Sequence, residues 1–125
     1  MRKALVFAVA AALLAAAFGA ALAQTPVTGA KIKIDGRAEG NGYINLKFTP
    51  SGGEAQTIQV PVVDRDREEA IAQSMAKALT VALGEGYKVD TRGNDKVEVK
   101  TKDKKKPFTL VVAEFSVKDV SVKIY

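Results

Sequence analysis

The sequence predicts an α+β domain, a single helix packed on a mostly antiparallel sheet in the order β-β-β-α-β-β-β-β. Three observations carry this. Apolar residues alternate with period two through residues 27–63, a period of 3.6 takes over across residues 64–83, and period two returns from Tyr87 to the end of the chain. One amphipathic helix among half-apolar strands is buried most economically on one face of a sheet.

In the first strand Ile32 and Ile34 share a face and Lys31 and Lys33 take the other. Asp35-Gly36 and then Gly40-Asn41-Gly42 are turn chemistry, predicting a loosely connected hairpin to a second strand over residues 43–49. Pro50-Ser51-Gly52-Gly53 closes that strand, and the third runs over residues 55–63 with Ile58, Val60 and Val62 inward. Pro61 has no N–H for a ladder, which places this strand at an edge or ends it there.

The helix stripe is Ile71, Met75, Ala78, Leu79 and Ala82. Asp64 or Asp66 is expected to cap its start, Glu68 and Glu69 suit the positive end of its dipole, and Gly84 stands where a glycine stops a helix. Beyond it, Tyr87, Val89 and Thr91 turn at Arg92-Gly93-Asn94-Asp95 into residues 96–101, with Val97 and Val99 on one face. Residues 108–113 are apolar on both faces, predicting a central strand, and residues 117–125 form the last, with Val120, Val122 and Ile124 in phase.

The helix, Gly86-Tyr87-Lys88-Val89, the Gly93-Asn94 turn, Val97-Glu98-Val99 and Pro107-Phe108-Thr109-Leu110 follow one another in a recognisable order. Residues 57–112 resemble a strand–helix–hairpin module of bacterial secreted and surface proteins and phage structural proteins. The resemblance covers about half of the chain beyond the leader and implies an assembly or interaction role with no named activity.

The leader is residues 1–23. Arg2 and Lys3 precede an unbroken apolar stretch over residues 4–18, Gly19 loosens it, and Ala21-Leu22-Ala23 offers small residues ahead of a cut before Gln24. This predicts a cleaved signal peptide and a single exported domain over residues 24–125, periplasmic or secreted. The chain has no cysteine, which closes the lipoprotein route and any disulfide framework. Of 19 basic residues two leave with the leader, so the remaining domain carries 17 against 14 acidic, a net charge of +3.

With neither histidine nor cysteine, the usual nucleophile–base pairs and ordinary zinc, copper and haem sites cannot be built. Ser74-Met75-Ala76-Lys77 matches a serine–lysine spacing, but no second motif of that chemistry accompanies it. Asp64, Asp66, Glu68 and Glu69 are spaced like the start of a calcium loop, yet the sixth and twelfth places from Asp64 hold Glu69 and Met75 in place of Gly and Glu. The expectation is a non-enzymatic protein without cofactor or metal. Its partners are expected to be a second copy or another envelope or extracellular protein, met through strand edges. The other candidate is the basic run Lys102-Asp103-Lys104-Lys105-Lys106, where Lys102, Lys104, Lys105 and Lys106 would contact an anionic polymer or lipid surface. The lysines and serine of the last strand argue against a membrane-spanning barrel.

Overall fold

The computed structural model describes residues 25–103 and 105–125. The expected leader lies outside them, as do Gln24 and Lys104. The elements are β1 (Gly29–Glu39), β2 (Gly42–Pro50), β3 (Gln56–Val62), α1 (Glu68–Leu83) with a 3₁₀ turn at Gly84–Gly86, β4 (Tyr87–Arg92), β5 (Lys96–Thr101), β6 (Phe108–Phe115) and β7 (Lys118–Ile124). The α+β class and the element order are those expected. The strands, however, form two antiparallel sheets, a four-stranded one in the order β4-β5-β1-β7 and a three-stranded one in the order β3-β2-β6.

This division overturns the hairpin expected between the first two strands. β1 bonds to β5 and β7, and β2 bonds to β3 and β6. The cause lies at Gly36, which takes φ 108° as the ladder to β7 shifts register between Gly36 and Glu39. A Cβ there would overlap the Asp119 carbonyl, so only glycine lets the two backbones approach. Past this irregularity β1 turns away from its own sheet, and its end is held by the 64–67 segment. Ala38 donates to Asp66 O at 2.8 Å and Arg65 donates to Ala38 O at 2.9 Å. The chain therefore enters β2 as part of the other sheet.

The β2–β3 and β4–β5 hairpins form at their predicted turns. β3 is an edge strand. Its register places Pro61 opposite Tyr43 at a position whose nitrogen faces away from β2, so the missing N–H removes no ladder bond. β6, expected to be central, is also an edge. Its inward Phe108 and Leu110 are buried, while the outward Val111 is half-buried in a groove described below.

The core lies between the sheets and under α1. Ile32, Ile34, Ile44, Leu46, Val60, Val97 and Val99 are fully buried, as are Ile71, Met75 and Leu79 of the helix. Ala72 joins them, while Ala78 and Ala82 of the predicted stripe are only partly covered. α1 packs chiefly on β3 and β4, one outer edge of each sheet. It closes that side of the molecule and leaves β6 and β7 to face each other on the other side.

Candidate functional site

The two open edges are defined by where their backbone groups point. Phe108 exchanges both backbone hydrogen bonds with Val27, at 2.8 and 2.9 Å, so its N–H and C=O face away from β2. Antiparallel alternation then turns the N–H and C=O of Leu110 and Val112 the same way. On β7, Tyr125 exchanges bonds with Lys31 at 2.8 and 2.9 Å, which turns the backbone N–H and C=O of Val122 and Ile124 away from β1. Among the described residues no strand pairs with either stretch. Between them runs a groove of about 370 Å³, lined by Thr25, Val27, Ala30, Leu110, Val112, Ile124 and Tyr125. Its walls are apolar and its rims carry unpaired main chain. That combination suits an extended peptide, whose backbone finds a ladder while alternate side chains find cover.

The basic loop is differently built. Asp103 organises it: its side chain accepts the Lys105 N–H at 2.9 Å, and its carbonyl accepts the Lys106 N–H at 2.9 Å. Thr101 Oγ1 bonds to the Asp103 backbone on both sides, and Lys102 donates to Gly86 O at 3.0 Å. Lys102, Lys105 and Lys106 thus decorate a tight turn between β5 and β6. Lys104 lies outside the described residues.

The acidic cluster corrects one expectation. Neither Asp64 nor Asp66 caps α1; the N-cap is Arg67, in extended conformation and without a side-chain cap bond. Residues 64–67 are engaged with the end of β1 and cannot enter the helix. Asp64 Oδ1 accepts the Gly40 N–H at 2.7 Å, and Asn41 Oδ1 accepts the Asp64 N–H at 2.8 Å. Asp66 accepts the Val63 N–H at 2.9 Å and Glu68 the Gly36 N–H at 3.1 Å. These carboxylates hold loops together through backbone donors. At the other end Gly84 does stop the helix, at φ 73°, its N–H donating to Thr80 O.

A polar cleft of about 560 Å³ lies beside this tie, lined by Arg37, Glu39, Asp64, Arg65 and Asp119. A hydrogen bond shared with Asp119, that residue's charge and partial desolvation push the Glu39 carboxyl above its ordinary value, with Lys118 opposing them. Ser74 and Lys77 line a shallow groove between α1 and the free edge of β3, beside Pro61 and Val81.

Sequence reading anticipated edge strands at Pro61 and at the chain end. It missed that β6 is an edge and that Val27 already pairs with it, because a doubly apolar strand has the same pattern whether a neighbouring strand or a groove covers its second face. Compared with known protein families, with curated proteins and with solved structures, the chain matches none.

Proposed function

We propose that this protein is an exported, non-catalytic interaction domain that joins a second chain by strand addition at the β6 edge. The observation that carries the reading is the outward main chain of Leu110 and Val112 beside an apolar groove. The bridge between Val27 and Phe108 shows the pairing mode in miniature, since a single extended residue there satisfies both edge groups. A partner strand continuing in that register would cover Leu110, Val112 and Ile124 and complete both ladders. The predicted leader supports action in the periplasm or outside the cell, where an edge without cysteine chemistry can work unmodified.

Size-exclusion chromatography with light scattering and pull-downs from the secreting cell are expected to show self-association or a stable partner. Val112→Pro removes an outward N–H without taking a bond from the β2 ladder. It is expected to abolish that association while leaving the melting temperature nearly unchanged. A wild-type protein that stays strictly monomeric and captures nothing would sink the reading, as would undiminished association of V112P.

A further inference from the structure

The outer face of the four-stranded sheet carries a feature that neither the edges nor the basic loop explain. Register places Arg92 opposite Lys96, Lys96 opposite Lys33, and Lys33 opposite Lys123. All four face outward, because the residues beside them in their strands, including Val97, Ile32 and Val122, point into the core. Four cations therefore stand in one row across every strand of the sheet. Paired positions in antiparallel sheets are separated by about 4.5 to 5.5 Å, so the row spans about 15 Å. Like charges placed directly opposite repel, and a face kept merely hydrated would alternate its signs.

The rows on either side do carry acids. Asp90 and Glu98 lie on one flank with Lys31, and Asp35 lies on the other opposite Ser121. Glu98 is engaged by Arg92 at 2.9 Å and Lys100 at 3.7 Å, so it fixes Arg92 at the head of the row. Lys33, Lys96 and Lys123 have no ion pair among the described residues. At the same end Lys31, Arg92, Lys96 and Glu98 surround a depression of about 260 Å³, large enough for one anionic group.

We propose that this row binds a linear acidic polysaccharide, one with a carboxylate or sulfate on each sugar, lying across the strands. Such a polymer repeats its charge at an interval comparable to the separation of neighbouring strands. Laid along the row it meets Arg92, Lys96, Lys33 and Lys123 and clears the flanking acids. A flat anionic lipid surface would press Asp35 and Asp90 against its own charge. A single nucleic-acid strand would look for aromatic stacking partners that the row does not carry. The site is separate from the β6 edge and stands or falls independently of it.

The test is the affinity of the full chain for polygalacturonate, followed by calorimetry from low to physiological salt, with neutral dextran, duplex DNA and anionic vesicles as competing probes. Binding that weakens steeply with salt is expected. The triple variant K33Q/K96Q/K123Q is expected to lose at least about tenfold in affinity, and K33Q alone a smaller part of it. K102Q/K105Q/K106Q removes the same charge from the loop and is expected to stay within about twofold. Circular dichroism should show the row variants folded, since they relieve repulsion. Failure to bind polygalacturonate at low salt overturns the proposal, as do equal losses in the row and loop variants and tighter binding to DNA or vesicles.

Discussion

Glu39 and Asp119 meet where β1 and β7 fall out of register, and Asp119 sits there at φ 63°, a conformation aspartate tolerates better than most residues. Two carboxyl groups in hydrogen-bond contact hold a proton more tightly than either does alone. Because the folded-state value of Glu39 is raised, its contribution to stability is complete below the ordinary glutamate range and disappears as pH rises through the raised value. Glu39→Gln should therefore melt higher than the wild type at neutral pH, with the advantage fading as the pH falls towards 4. Thermal scans across that range check it; an equal advantage at every pH would mean that the two acids do not share a proton. Glu98 behaves in the opposite sense. Desolvation pushes its carboxyl upward, but the Arg92 hydrogen bond and the charges of Lys100, Arg92 and Lys31 outweigh it and hold the group below its ordinary value. Its stabilising effect is present above the ordinary glutamate range and is lost only as pH falls through the lowered value.

At the scale of elements, the segment between β3 and α1 does the work that a sequence pattern assigns to a cap. Asp64 accepts the Gly40 N–H and donates its own N–H to Asn41 Oδ1, which pins the β1–β2 turn to the start of the helical connection. Asp64→Ala is expected to cost about 1 kcal/mol of stability, a typical value for one hydrogen bond. Helix content in circular dichroism should stay the same, whereas loss of a true cap would fray the first turn. The helix, the β2–β3 and β4–β5 hairpins and the edge proline were legible, because each is fixed by residues close in sequence: Gly84 stops α1, Gly93 turns β4 into β5, and Pro61 marks β3 as an edge. The partners of β1 were not legible. Ile32 alternates with Lys33 in the same way whether β2 or β7 lies beside it, and the close approach to Asp119 that Gly36 permits is visible only in the folded chain. The cation row was hidden for the same reason, since Lys33, Lys96 and Lys123 become neighbours only once the register is known.

Over the whole molecule, two sheets and a helix are welded at one end by aromatic rings from three strands. Phe48 of β2 stacks on Phe108 of β6 with centroids 5.2 Å apart, and Tyr87 of β4 meets both edge-on, at 5.1 and 5.8 Å. Phe108 is fully buried and couples the three-stranded sheet to the four-stranded one. Phe108→Ala should cost about 3–5 kcal/mol, a large share of the stability of a small domain. Denaturant unfolding would read it directly; a loss below about 1 kcal/mol would show that the sheets are held together elsewhere.

The placement of β1 between β5 and β7 also governs when this protein can fold. Its first strand finds both neighbours far along the chain, β5 at Lys96–Thr101 and β7 at Lys118–Ile124, with Lys31 bonded to Tyr125. Both closures are long in sequence, and topologies of that kind fold slowly. A chain emerging from the ribosome can zip its two local hairpins early. Its four-stranded sheet stays incomplete until β7 is also available to pair with β1.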